Sequence, residues 1–589
     1  MLLKAANLTW QGKQVYSPDY DDIYFTDHSQ DGGISEVQTF FTNPCDIRER
    51  AGTQTLTTVG ELGFGSGLNF AVTAQAFLDA QARNPAHKNR LHFISVEAHP
   101  LSFTHWQSVA AQKAKTLPIY KPLATYPPPT LPGWHQRYFA DGQITLSVFH
   151  GDVSDGFDDL VRQQRQRVDV WYLDGFAPEK NPAMWNKHLF EQMAKLSATG
   201  AQVATFTAAG HVKRGLQGAG FEVSKQPREP VKREAIVARY SGSQQQKHLP
   251  PTKVNVIGAG IGGAYLAHQL AQQNIQVQVI DHQRDQKLGG SHIHQAVMHA
   301  RLLQGQDPQA ALRAHAFHHG VPIAHPLPGI AQIGVLQQQG PNLDLAKLHR
   351  VAESYQAQDP AQHYWIKLVE DDNSEMGLWF AQGCVVDIPV LVDSLLSHPN
   401  IELVTKQQLD NPVVSANQVT VLCNGIAAQS HLPWLEIAPV WGQLDHFHTP
   451  SQNAEAHVGN GYYVALDTTL TLGASYEYTP WQADAATQHN LTLNQHHCAD
   501  LTLEHLGMTR GTRAICSDRL PVAGRVEENL WIATGLGSMG TTLAPFMASL
   551  VTAGLCGHVA PGSAAITHQL RPQRFKERQA RRGLRHGAS

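Results

Sequence analysis

Six cysteines in 589 residues, none in a C-x-x-C pair, are too few and too scattered for a disulfide framework or a zinc site. Their spread over Cys45, Cys384, Cys423, Cys498, Cys516 and Cys556 fits a reducing compartment. No apolar run approaches the ~20 residues that span a bilayer. The opening MLLKAANLTWQGKQ lacks the apolar stretch of a secretory signal, so the expected location is the cytoplasm. A basic surplus is also missing. Lys and Arg total 45 against 49 Asp and Glu, a formal charge of −4, so any nucleic-acid surface has to be local. The 33 histidines are dispersed, the densest group being His292, His294 and His299, and no metal is expected.

What remains is a hydrophobic content of 42% with 16% charged residues, the balance of a folded globular protein, at a length that calls for several domains. YSGSQQQKHLPPTK, residues 240–253, is polar, Gln-rich and ends in a double proline, which reads as a linker. The expected division is residues 1–240, a linker at 241–252, a second domain at 253–570 and a basic tail at 571–589. Both domains read as α/β. In the first, LTTVGELGF, LHFISVEAHP, ITLSVFHGD, VDVWYLDGF and AQVATFTAAG are short apolar runs separated by amphipathic segments, the pattern of a parallel sheet covered by helices. Ligands of such sheets bind beyond the carboxyl ends of the strands. The second domain opens and closes on strand–glycine patterns, with a β-rich insertion expected at roughly 300–480.

Each domain carries one glycine turn, and the two differ. Gly258, Gly260 and Gly263 form G-x-G-x-x-G after a strand and at the start of a helix, and Asp281 closes the next strand. The glycines admit a pyrophosphate to the helix N-terminus and the acid takes a ribose hydroxyl, which specifies a dinucleotide and leaves FAD and NAD both open. The first turn is Glu61-x-Gly63-x-Gly65-x-Gly67, and acids end the later strands at Glu97, Asp152 and Asp174. A carboxylate after the second strand suits two ribose hydroxyls and one after the third suits an adenine amino edge. With no basic residue in the turn, this favours S-adenosyl-L-methionine over a dinucleotide. The alternative is a purely structural turn. Asp174-Gly175-Phe176-Ala177-Pro178 then falls where a methyl-transfer site belongs: Asp174 can orient an amine or take its proton, and Phe176 can stack on a base. A helix-capping aspartate is the plainer reading of the same residue.

These segments together resemble the bifunctional tRNA 5-methylaminomethyl-2-thiouridine biosynthesis proteins over nearly the whole length. The likeness rests on YFTDHSQDGGISEVQTFF, ELGFGSGLNF, DGFAPEKNPAMW and ATFTAAGHVKRGLQGAGF. After the linker it rests on the dinucleotide fingerprint, GASY, TRAICSDRLPVAG, GLGSMGTTLAP and LRPQRFKERQARR. The resemblance implies a Rossmann-like S-adenosyl-L-methionine methyltransferase domain followed by an FAD-binding Rossmann domain with an inserted β-rich substrate domain. It implies two consecutive reactions on the wobble uridine of tRNA: FAD-dependent removal of a carboxymethyl group from a carboxymethylaminomethyl substituent, then methylation of the exposed amine. For the substrate carboxylate Arg513 is the candidate, with an ion pair to Asp518 as the structural alternative. Gly535 and Gly537 are expected to bring backbone amides to the flavin or else to serve packing, and Gln295 lies close to the flavin.

Four positions depart from the family pattern: His292 and Ile293 where Gly and Asn are expected, Trp441 and Met539 where Arg is expected. They bear on the oxidase half. A redox-inactive FAD domain is one competing reading; an amine oxidase for free small amines fused to a methyltransferase, favoured by the neutral overall charge, is another. Two basic segments favour tRNA. One holds His211, Lys213, Arg214, Lys225, Arg228, Lys232 and Arg233, and the other spans 571–585.

Overall fold

The computed structural model of the protein describes residues 3–11, 14–24, 31–84, 88–163, 167–176, 179–228, 232–243, 250–281, 289–303, 308–340, 344–356, 365–370, 376–405, 418–450, 453–499 and 501–583. Two compact units emerge: residues 1–249 with 556–564, and residues 250–555 with 565–589. The middle of the expected linker, 244–249, lies outside the described residues, as do Ala177, Pro178 and Arg585.

The first unit is built on β1 (Leu56–Leu62), α1 (Leu68–Arg83), β2 (Arg90–Glu97), β3 (Gly133–Phe139), β4 (Ile144–His150), β5 (Val168–Leu173), β6 (Ser197–Thr205), β7 (Phe221–Arg228) and β8 (Lys232–Tyr240). These form one sheet in the order β7-β8-β6-β5-β1-β2-β4-β3. The five strands from β6 to β4 are parallel, while β3, and β8 followed by β7, close the two edges antiparallel. Strands β1, β2 and β5 are buried almost end to end, because both faces are covered. Phe40, Phe70, Phe93 and Tyr172 fill one face, and Ile94, Trp134, Phe157, Trp171 and Phe190 the other. The polypeptide runs outward from β1 through β2 to β4, then returns to β5 on the other side of β1. The strand order therefore reverses between β1 and β5, the point where such sheets bind ligands. Register places Leu62 beside Leu173, so Glu61 and Asp174 emerge at the same end.

The second unit contains β9 (Lys253–Ile257), α2 (Ile261–Gln272), β10 (Gln276–Ile280), β11 (Ile401–Val404), β12 (Val419–Leu422), β13 (Ile437–His448), β14 (Glu504–Cys516), β15 (Val522–Arg525), β16 (Leu530–Thr534), α3 (Gly540–Cys556) and α4 (Gln573–Arg581). Six of the strands make a sheet ordered β11-β10-β9-β12-β16-β15, parallel except at β15. A separate eight-stranded sheet ends on the long antiparallel pair β13 and β14, which runs from Ile437–Cys516 to His448–Glu504 with one register shift between His446 and Phe447.

Two boundaries differ from the sequence reading. The β-rich part is not one block at 300–480: β11 and β12 belong to the six-stranded sheet with β9, and β14 carries the eight-stranded sheet on to residue 516. The segment from 571 is not a loose tail through 581. Phe575 of α4 is fully buried, and Arg574 and Arg578 pair with Asp518 and Glu436 at 2.9 and 2.6 Å. A basic, amphipathic nine-residue helix reads as a solvated tail until its one aromatic and its acidic partners are seen together.

Candidate active sites

In the first unit the turn after β1 requires its glycines. Gly63, Gly65 and Gly67 all have positive φ, at +85°, +52° and +71°, and Gly67 is the residue from which α1 starts. A Cβ on Gly63 would lie 2.8 Å from the Asp174 carbonyl oxygen, and one on Gly65 would lie 2.8 Å from the Tyr24 ring. The turn thus leaves the backbone bare at the reversal between β1 and β5.

The acids divide by environment. Glu61 is buried and both its oxygens are occupied: Ser95 Oγ donates to Oε2 at 2.6 Å and Asn69 Nδ2 donates to Oε1 at 2.9 Å. Burial pushes its carboxyl well above the usual carboxylate range. The same Asn69 Nδ2 donates to Asp174 Oδ2 at 2.6 Å, so one amide group joins the ends of β1 and β5. Glu97, at the end of β2, accepts the Gly65 and His99 backbone N–H groups at 2.7 and 2.8 Å. Burial raises its carboxyl, against the pull of those two amides. Each carboxylate oxygen keeps a second lone pair, so Glu97 can still take hydroxyl donors. Asp152 is exposed, and its Oδ1 accepts the Ser154 N–H at 2.8 Å at the start of the helix Val153–Gln163. It is drawn into the local turn rather than into the Glu61–Asn69–Asp174 group.

Phe176 stacks on Tyr20 at 4.4 Å between ring centroids and meets Tyr24 edge-on at 5.4 Å. The Trp185 indole N–H donates to the Phe176 carbonyl at 3.2 Å. Lys180 donates to the Asp21 carbonyl and lies 3.9 Å from Asp22, tying the segment 20–24 to the loop after Asp174. Tyr20, Tyr24, Asn69 and Ser95 were not picked out by the sequence reading. Asn69 follows directly on the glycine run, which is its one local signal. The tyrosines are distant in sequence and only the fold brings them here.

In the second unit the turn between β9 and α2 is likewise built on glycine. Gly258 has φ +105°, and a Cβ there would lie 2.8 Å from the Cys423 carbonyl oxygen. A Cβ on Gly260 would lie 2.9 Å from Ser291 Oγ, which accepts the Ile261 N–H at 3.0 Å. A Cβ on Gly263 would collide with the Gly258 carbonyl oxygen, so α2 can approach β9 only with glycine there. Asp281 Oδ2 accepts the Ala259 N–H at 2.8 Å and thereby holds the turn itself.

Gln295 is buried, and its Oε1 accepts Thr471 Oγ1 at 2.6 Å while its carbonyl takes the Tyr462 hydroxyl. Gly535 and Gly537 have φ of +74° and +59°, and the Gly537 N–H is used by the Ala514 carbonyl at 3.0 Å. A Cβ on Gly535 would lie 2.5 Å from Cys516 Sγ, so this glycine serves a tight packing contact.

Arg513 does not pair with Asp518, which is taken by Arg574. Its Nη1 donates to the Trp441 and Ser475 carbonyls at 3.1 and 3.2 Å, and its guanidinium lies 5.5 Å from the Tyr476 ring centre. No carboxylate pairs with it among the described residues, and burial pushes its guanidinium downward. The nearby carboxylate, Glu477, is fully buried and bound instead by Arg510 at 2.8 Å.

At the departing positions, His292 Nε2 bonds the Arg510 carbonyl at 2.8 Å, the Ile293 carbonyl accepts the Ile388 N–H at 3.0 Å, and Trp441 and Glu477 pair through their backbones. Met539 lies in the turn that leads into α3, where its carbonyl accepts the Leu543 N–H at 2.9 Å. His294 pairs with Asp387 at 3.1 Å and His299 packs against Phe380, so the histidine group has separate partners. Among the described residues no cluster of three or more His, Cys, Asp or Glu could hold a metal ion.

The basic segment of the first unit is only partly a free face. Lys225 pairs with Glu234 at 2.9 Å, while His211 and Arg214 are exposed on the helix Gly210–Gly218. The side chains of Arg228, Lys232 and Arg233 lie outside the described residues.

Residues 115–241 match the S-adenosyl-L-methionine-dependent methyltransferase family and residues 253–553 the FAD dependent oxidoreductase family. The two glycine turns thus belong to units of the two expected classes, although the first turn precedes the matched segment. Among similar proteins, the tRNA 5-methylaminomethyl-2-thiouridine biosynthesis bifunctional protein of Chromobacterium violaceum is 30% identical over 663 residues, covering 97% of this protein and 97% of that one. Its counterpart in Caulobacter vibrioides is 30% identical over 94% of this protein and 95% of that one. The one from Idiomarina loihiensis is 29% identical over 96% and 98%. With a methyltransferase unit and an FAD oxidoreductase unit in this order, and likeness of that extent along the whole length, this protein belongs to the family of bifunctional tRNA 5-methylaminomethyl-2-thiouridine biosynthesis enzymes.

Proposed function

We propose that the protein, in the cytoplasm, carries out two consecutive steps on the wobble uridine of tRNA. The carboxymethyl group is first removed from 5-carboxymethylaminomethyl(-2-thio)uridine, and the resulting aminomethyl group is then methylated. The observation that carries this reading is the chemical complement of the two sites. Arg513 offers a guanidinium that pairs with no carboxylate among the described residues, fit for a substrate that bears a carboxylate. Asp174 offers a carboxylate fixed by Asn69, fit for a product that bears an amine.

In the second unit the bare turn at Gly258, Gly260 and Gly263, the N-terminus of α2 and the strand-end Asp281 fit a dinucleotide, and these residues would hold FAD. Bound flavin would accept the two electrons released when the C–N bond of the uridine substituent is oxidised ahead of hydrolysis. Arg513 would anchor the carboxylate and so fix which carbon is presented. Two backbone carbonyls hold the guanidinium in place, so little freedom is lost on binding.

In the first unit the backbone of Gly63, Gly65 and Gly67 and the Glu97 carboxylate would hold S-adenosyl-L-methionine, which supplies an activated methyl group. Glu61 acts one step removed, holding Asn69 and through it Asp174. Asp174 would accept an N–H of the amine and aim its lone pair, and Phe176 would present a ring face to the base.

Mass spectrometry of tRNA nucleosides from cells lacking the protein tests the order. Carboxymethylaminomethyluridine should accumulate, and restoring a D174A variant should convert it to aminomethyluridine. Accumulation of aminomethyluridine in the deletion itself would leave only the transferase and favour a redox-inactive second unit.

A further inference from the structure

Next to Arg513 the surface carries aromatic rings that a folded protein ordinarily covers. Tyr476, Tyr478 and Trp481 are exposed at 38%, 67% and 37%. They fall within six residues of one another, so the exposure is concentrated rather than scattered.

The two tyrosines share one arginine. Arg519 donates from Nη1 to the Tyr476 hydroxyl and from Nη2 to the Tyr478 hydroxyl, the latter at 3.0 Å. The rings meet edge to face at 5.6 Å. Between them Glu477 turns the other way, fully buried and bound by Arg510 and by the Trp481 N–H at 2.8 Å each. Residues 476 and 478 therefore face outward as neighbours on one side. Arg519 itself has φ +63°, a conformation that a long side chain keeps only when its surroundings enforce it. The Arg513 guanidinium lies over the Tyr476 ring, 5.5 Å from its centre. Two guanidinium groups thus meet the ring pair, Arg519 at both hydroxyls and Arg513 over Tyr476, while the Glu477 carboxylate turns inward.

A surface of exposed rings flanked by guanidinium groups suits one chemistry: flat bases on the rings and phosphates on the guanidinium groups. We propose that Tyr476, Tyr478 and Arg519 form a stacking platform for an unpaired nucleobase of RNA beside the nucleotide whose substituent reaches Arg513. This rests on the tRNA reading above and adds the surface that reads the neighbouring base. An apolar protein partner would have little use for two phenols already tied to an arginine.

The test uses the full-length flavoprotein and an anticodon stem-loop with 2-aminopurine beside the wobble uridine. Wild type should quench the 2-aminopurine as it stacks. Y478A should lose the quench and bind about tenfold more weakly, and Y478F, which keeps the ring, should retain most of both. R519Q, which frees both phenols, should fall between them. Unchanged flavin absorbance and melting temperature in Y478A and R519Q exclude misfolding. If wild type binds the stem-loop and Y478A binds and quenches within twofold of it, the platform is overturned while the tRNA reading stands. If wild type fails to bind the stem-loop, the tRNA reading falls and the platform with it.

Discussion

Asp174 and Glu61 are carboxylates joined by one amide, yet they differ in exposure and so in role. Glu61 is shut in with Ser95 and Asn69, whereas Asp174 is only half-buried. D174A should therefore lower methylation of aminomethyl-tRNA by about 10²- to 10⁴-fold, the range for a positioned acid–base group, and leave the flavin spectrum unchanged. Labelled-methyl incorporation equal to wild type would remove Asp174 from the reaction. Glu61 makes a prediction about stability. Its folded carboxyl holds the proton above the pH at which the unfolded polypeptide, near pH 4.3, releases it. Its contribution to stability is therefore complete below that range and is lost as pH rises through the elevated value. E61Q should flatten this part of the dependence of melting temperature on pH, and an unaltered slope would mean that Glu61 is ionised in the fold. At Arg513 the charge-assisted contact is the quantity at stake. R513Q should raise KM for the carboxymethylaminomethyl substrate about 10- to 100-fold, read as flavin reduction, because it removes one ionic hydrogen-bond partner of the carboxylate. A KM unaffected by the change would return Arg513 to a structural role.

At the scale of elements, each glycine turn is legible because its backbone cannot tolerate anything else. α2 begins at Gly260 and leans on β9 through Gly263, so the fingerprint could be placed on strand and helix from spacing alone. G260R should leave the purified protein colourless while methylation of an aminomethyl substrate persists, because the altered residue belongs to the second unit. A yellow G260R protein would refute the dinucleotide reading of that turn. The switch between β1 and β5 was likewise visible, as acids at the ends of successive apolar runs. Less visible was the use made of those acids. Asp152 looks like Glu97 in sequence, yet its carboxylate caps a helix on an exposed edge, and only the position of β4 near the sheet margin decides that. Helix α4 was misjudged for a related reason. Its charges exceed its apolar residues, and Phe575 cannot be recognised as an anchor until Asp518 and Glu436 stand opposite Arg574 and Arg578.

For the molecule as a whole, the linear order of the two units is simpler than their composition. Residues 556–564, which begin at the last residue of α3, belong to the first unit although the rest of that helix belongs to the second. Gly562 pairs with Trp134 on β3, Gln136 donates to the Val559 carbonyl, and Val559 is fully buried among Trp134, Phe157 and Trp171. V559A should therefore destabilise the methyltransferase unit by about 2 kcal/mol, the order of cost for a large-to-small core change. Differential calorimetry with and without S-adenosylmethionine would identify the transition concerned. A shift confined to the transition that does not respond to S-adenosylmethionine would show that the segment supports the other unit.

The sequence by itself determined the two α/β units, a glycine turn opening a helix in each, and the family, because these depend on local patterns: strand period, obligatory glycine and acids at strand ends. Only the tertiary structure decided that Glu61 and Asp174 share Asn69, that Asp518 is claimed by α4 and not by Arg513, and that Val559 completes a core hundreds of residues upstream. Those facts depend on which groups meet across the fold, and competition among possible partners is settled by packing, not by spacing along the sequence.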